Sequence, residues 1–187
     1  PYLSKRLGLC FAGAVVPALM TQAAVSMFLG NLHPERLRLP SMYDIANLIR
    51  HLSEKYIRDA AFAYPPANPP CCEFVVFGNN LTDITTSDNS LGAYWIHPVV
   101  SSNQFNQVME YIDLEKGEIA VIGAETQGLR QETAALQAQS IAAWAGVEPR
   151  IALGRRIYAR THDTVGGTLQ FGILERGHFT RFGSVMD

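Results

Sequence analysis

Residues 7–32 read LGLCFAGAVVPALMTQAAVSMFLGNL, with no charged side chain among them and Lys5 and Arg6 just before. The run is long enough to cross a bilayer, and a basic start before an apolar stretch also mimics a secretory signal. Gly8, Gly13 and Pro17 break its first half, while Thr21, Gln22 and Ser26 dilute the second. A split reading fits better. Arg6–Ala12 alternates as a short buried strand, Gly13 turns the chain, and Pro17 opens a helix where its missing N–H costs nothing. Leu19, Ala23, Met27 and a flanking Phe28 then share one helical face, and Gly30 ends the helix. A secreted or membrane-anchored protein is left as an outside possibility.

Working outward, Pro34 and Pro40 bracket a basic loop. Ser41 caps the next helix, with Asp44 in the capping-box position. Ile45, Leu48, Ile49, Leu52, Tyr56 and Ile57 recur at helical spacing beyond it. Ala63 to Pro70 is a proline-rich loop, and Phe74–Phe77, ending at Gly78, reads as a buried strand. Ala93–Val100 reads as a strand interrupted near Pro98, and Gln104–Tyr111 carries a weak helical pattern. Glu118–Ile122 is expected to be a strand ending at Gly123. Helices are expected over Pro17–Leu29, Ser41–Arg58, Gln131–Ala145 and Pro149–Thr161. Thr168–Leu174 and His178–Phe182 make a hairpin around Glu175-Arg176-Gly177. Paired helices between groups of strands point to α+β layers rather than a parallel doubly wound sheet. No repeat or linker divides the chain, so its 187 residues read as a single domain, 1–187.

Composition narrows the function classes. Lys plus Arg is 15 against 17 for Asp plus Glu, a net charge of −2. That is too little positive charge to hold nucleic acid by counterion release. Hydrophobic residues at 48% exclude a disordered chain, and charged residues at 17% leave few charges to cover a monomer's surface. Burial against other subunits is expected. Cys71 and Cys72 are neighbours and Cys10 stands apart, without ligand spacing, so neither a zinc site nor a disulfide framework is indicated. A reduced, cytoplasmic chain with no membrane or nucleic-acid partner is the simple reading.

Local motifs carry little chemistry. Asn80-Leu81-Thr82 is a glycosylation sequon that a cytoplasmic chain would ignore. His33, His51, His97, His162 and His178 are scattered and read as surface or helix-end residues. No serine sits in a G-x-S-x-G elbow, which removes the α/β-hydrolase reading. Gly166-Gly167 follows a helix and opens a strand, the reverse of a phosphate-binding order, so it reads as a tight turn. Pro1 as a secondary amine could act as a base, as in tautomerases, but no tautomerase repeat follows.

Two longer segments say more. Tyr2–Ala14, YLSKRLGLCFAGA, runs into a helix, and Ala159–Leu174, ARTHDTVGGTLQFGIL, runs into Glu175-Arg176-Gly177. The first is similar to the strand that ends in a glycine pair before the first long helix of proteasome β subunits and of the bacterial peptidase HslV. The second resembles the helix end, aspartate, Ser-Gly-Gly turn and closing hairpin of the same proteasome-type N-terminal nucleophile hydrolases. Phe74–Gly78, Gly92–Ile96 and Ala120–Ala124 fall in the order of that family's middle strands. The likeness lies in order more than in letters.

The resemblance implies a four-layer αββα sandwich with two antiparallel sheets. It also implies a threonine-type peptidase that acts on a peptide or protein substrate within a homo-oligomeric ring, with no cofactor and no metal. Whether an ATPase partner docks stays open. The family's nucleophile opens the mature chain, where its own amine serves as base. Nucleophile and catalytic lysine would both precede Pro1, and Lys5 matches a hairpin lysine instead. Asp163 matches the late aspartate that orients the nucleophile, if one turn residue is deleted. Gly123 would offer backbone beside it. Val165 and Ala124 stand where the family has serines around the terminal amine, which thins the polar shell. Asp163 is therefore expected beside Gly123 and Ala124, facing a cleft between the sheets. Its plain alternative is an aspartate capping the turn before Gly166. A catalytically silent scaffold subunit is the alternative function.

Overall fold

A computed structural model describes residues 7–31, 40–64, 69–79, 91–101, 104–114, 119–123, 126–139, 147–159, 170–175 and 178–183. The chain divides into two compact units, Pro1–Ile122 and Gly123–Asp187.

In the first unit, β1 (Leu7–Gly13), β2 (Cys72–Asn79), β3 (Leu91–Ser101) and β4 (Gln104–Tyr111) form one antiparallel sheet in the order β1-β2-β3-β4. Period-two burial sorts the faces of β2. Cys72, Phe74, Val76 and Gly78 are buried, while Glu73, Val75 and Phe77 between them are half-buried. On the buried side lie α1 (Val15–Gly30) and α2 (Met42–Ala61). The core joins Phe74, Val76 and Ile96 of the sheet to Met42, Ile45, Ile49 and Ile57 of α2 and to Ala18 and Val25 of α1.

The start of α2 follows its sequence signal. Ser41 Oγ accepts from the Asp44 backbone N–H at 3.1 Å, and Asp44 Oδ2 accepts from the Ser41 N–H at 2.9 Å. Two orphan donors of the first turn are thereby satisfied. One side of α2 also grips the sheet: Glu54 Oε2 accepts from the Gln107 backbone N–H at 3.3 Å, and Arg50 donates to the Gln107 carbonyl at 3.4 Å.

The split of residues 7–32 into strand and helix holds, and no helix among the described residues is long and apolar enough to cross a membrane. Gly13 makes the break. Its φ is 100°, a left-handed value that favours glycine, and an added Cβ would collide with the Cys71 carbonyl oxygen. That same oxygen accepts from the Ala14 N–H at 2.9 Å. Gly8 is small for another reason: a Cβ there would run into the ring of Phe77 on the neighbouring strand. The apolar face read for α1 is turned outward. Leu19 is 49% exposed, Met27 60% and Phe28 51%, whereas Pro17, Ala18, Thr21, Ala24 and Val25 are the buried residues. Small side chains let α1 lie close to its neighbours, and the Thr21 hydroxyl is satisfied by donating to the Pro17 carbonyl at 2.8 Å.

In the second unit, α3 (Thr126–Ala138) and α4 (Val147–Ala159) are tied by Glu132, whose Oε2 accepts from Arg156 Nε at 3.2 Å. β5 (Gln170–Glu175) pairs antiparallel with β6 (His178–Gly183), and Glu175 stands opposite His178.

The expected four-layer αββα sandwich with two antiparallel sheets is not what forms. The fold is α+β, with one four-stranded antiparallel sheet, the β5–β6 hairpin and four helices among the described residues. The strands that form are not the ones expected. Gln104–Tyr111, read as weakly helical, joins the first sheet as β4. Residues 119–122, read as a strand, carry no ladder. A sheet needs paired backbone groups, and these residues pair with no described strand.

Candidate functional site

One end of the four-stranded sheet opens as a cleft of about 250 Å³ on the face away from α1 and α2. β1 contributes Ala12 and Gly13, the start of β2 contributes Glu73, and β3 contributes Trp95, His97 and Pro98. Register brings them together. Ala12 pairs with Glu73, Val75 with Trp95, and Trp95 with Glu110. Alternation along β3 sends Tyr94 and Ile96 to the core and leaves Trp95 and His97 on the open face.

The polar groups are held in defined places. Trp95 Nε1 donates to Glu73 Oε2 at 3.0 Å, a cross-strand bond that fixes the half-buried carboxylate. The rings of Trp95 and His97 stack at 3.9 Å with 23° between their planes. His97 Nε2 lies 3.1 Å from Glu110 Oε1. Behind the cleft, buried Gln107 donates from Nε2 to the Cys72 carbonyl at 2.9 Å, while its Oε1 has no hydrogen-bond partner.

Cys71 and Cys72 also line the cleft, next to an imidazole, which raises the question of thiol chemistry. Their environment answers it. Burial pushes the Cys71 thiol up, and it pushes Cys72 up to about 12, with the neighbouring Cys71 and Glu73 adding to the effect. Thiols held protonated at neutral pH are poor nucleophiles. Partial desolvation also raises Cys10, whose residue is otherwise exposed on β1. All three cysteines are free thiols, and among the described residues no cluster of three His, Cys, Asp or Glu side chains is placed to hold a metal ion.

Asp163, Ala124 and Val165 lie outside the described residues, as does the Gly166-Gly167 turn. Gly123 is described: its φ is 100°, and it follows an irregular segment rather than ending a strand. His51 is exposed on α2 beside Arg50, with 2.8 Å between His51 Nε2 and the guanidinium, whereas His97 belongs to the cleft. Glu73, Trp95 and His97 were not picked out as a group from the sequence. The available signal was the alternation of Trp95 and His97 on one strand, but Glu73 joins them only through strand register.

No family model, curated protein sequence or solved structure matches this chain.

Proposed function

We propose that the chain is a peptidase subunit of the N-terminal nucleophile hydrolase type, that it acts on peptide bonds within a homo-oligomeric ring, and that the cleft beside Gly13 receives its peptide. The observation that carries this reading is where the cleft opens. It lies at Ala12 and Gly13, the junction between the strand and the helix in the segment that resembles the family. Phe74–Gly78 and Gly92–Ile96, two segments of the same resemblance, lie on adjacent strands, with β1 next in the sheet, which supports it further. The four-layer sandwich is no part of the proposal. The uncharged, apolar outer face of α1 supports assembly, because exposed patches of this kind mark interfaces. Asp163 would orient the nucleophile and its amine by hydrogen bonding.

Val165 and Ala124, in place of two serines, favour a second reading, a scaffold subunit that assembles without catalysis. Fluorogenic peptides given to the protein as its gene encodes it separate the two. Hydrolysis that is blocked by a threonine-directed inhibitor and falls at least about tenfold in Asp163→Ala, about 1.4 kcal/mol in the barrier, supports the peptidase. A stable ring without turnover supports the scaffold. A monomer without turnover removes both.

A further inference from the structure

The two edge strands of the four-stranded sheet, β1 and β4, are finished differently. At β4, side chains of α2 occupy the backbone: Glu54 accepts from the Gln107 N–H and Arg50 donates to its carbonyl. At β1, no strand among the described residues pairs with the side away from β2. Its sequence, LGLCFAG, carries no charge and no proline, and its register with β2 runs from Leu7 to Gly13 without a bulge. Charge, proline and bulges are devices that stop a sheet edge from pairing, and β1 has none of them.

The ladder fixes which backbone groups of β1 face outward. Gly13 stands opposite Cys72, and the Ala14 N–H donates to the Cys71 carbonyl at 2.9 Å. Bonded pairs alternate in an antiparallel ladder, so Ala12, Cys10 and Gly8 bond toward β2, while Leu7, Leu9 and Phe11 turn their N–H and C=O groups to the other side. The side chains of these three are half-buried against the core, which leaves apolar surface at the edge. Cys10 is the middle residue of β1 and is exposed. Antiparallel pairing of β1 with its own copy about that residue sets Leu9 opposite the partner's Phe11 in a bonded pair. The apolar surface of both edges is then covered. No like charges meet along the seam, because residues 7–32 carry none.

We infer that β1 is a two-fold contact: it pairs antiparallel with β1 of a second copy, centred on Cys10, and joins the two sheets into one. The helices favour a second copy over an extended peptide as the occupant. α1 packs on β1 and β2, whereas α2 packs on β2, β3 and β4. The two-fold axis is normal to the sheet, so both copies of α1 lie on one side of it beside the seam. The helix with Leu19, Met27 and Phe28 exposed is therefore the one nearest the second copy. A lone peptide would pair with the strand and bring no helix to that side. The contact does not rest on the peptidase reading, and it is isologous, whereas closing a ring needs a heterologous contact.

The unmodified full chain tests it, with Cys10 as the reporter. Opposed residues between the bonded pairs have Cα atoms about 4.5 Å apart, within the span of a disulfide. Diamide, an oxidant that takes up the two thiol hydrogens and their electrons, should link Cys10 to the partner's Cys10 at micromolar chain concentration. Mass spectrometry should find the Cys10 peptide joined to itself, and the product should be lost when the chain is unfolded in urea. Cys10→Lys sets two ammonium groups face to face and should weaken association at least about fivefold by sedimentation, while Cys10→Ser should sediment like the unmodified chain. The inference is overturned if the folded chain gives no Cys10–Cys10 link, or if a folded Cys10→Lys chain keeps the full mass. A ring that persists without the link overturns this contact and leaves the ring reading standing, whereas a monomer overturns both. The cross-link needs no substitution, so it decides the matter even where Cys10→Lys fails to fold.

Discussion

Helices α1 and α2 pack on the same face of the same sheet and are built on opposite plans. α2 begins at a capping box, buries Met42, Ile45, Ile49 and Ile57, and carries Glu54–Arg58 and Lys55–Asp59 ion pairs on its flank. α1 begins at Ala14 with no side-chain cap, has no acidic first turn or basic last turn, and buries small residues while showing large apolar ones outward. α2 is amphipathic by polarity, as a helix between core and water should be. α1 is sorted by size instead. A water-facing helix has no use for Leu19, Met27 and Phe28 outside, and the proposed assembly would cover this second face of α1 with another subunit.

Four variants would break or sharpen this contrast. Ile49→Ala, at 1% exposure in the core, should cost about 3 kcal/mol through lost burial and a residual cavity, read from urea unfolding. A cost near zero would mean that α2 is not the helix that anchors the sheet. Ala18→Leu, at a fully buried small position of α1, should cost about 2 kcal/mol by overpacking, visible as a lower thermal midpoint. An unchanged midpoint would show that α1 is not packed by size. Ser41→Ala removes the cap of α2 and should cost about 1 kcal/mol in the same measurement. Leu19→Ser with Met27→Ser should change folding by less than about 0.5 kcal/mol per site, yet reduce the sedimenting mass at micromolar concentration. The same mass in the double variant would remove this face of α1 from assembly.

What could be read in advance depended on how local each signal was. The Ser41–Asp44 box is complete within four positions, and the helix it opens was found. The break at Gly13 was also local, although Cys71, which closes the turn, is far off in sequence. β4 is hard to read because its alternation breaks at one pair: Phe105 and Met109 pack on the core and Asn106 and Glu110 are exposed, but between them Gln107 is buried while Val108 is only half-buried. Residues 119–122 have the composition of a strand but pair with no strand among the described residues. α3 starts at Thr126, five residues before the expected Gln131, and takes Gly128 into its first turn. The cleft is the least local feature. Glu73 and Trp95 become bonded neighbours only once β2 and β3 settle into register. The face of α1 is a different case: periodicity groups residues by direction but does not say which direction is the core.

The ring of Phe77 lying over Gly8 has a consequence for descent rather than for folding. The glycine is there for room, and the room is taken by one identifiable side chain. Neither position is then free to drift alone. A relative with alanine or serine at position 8 should carry a smaller residue at 77, and a lineage that keeps the phenylalanine should keep the glycine.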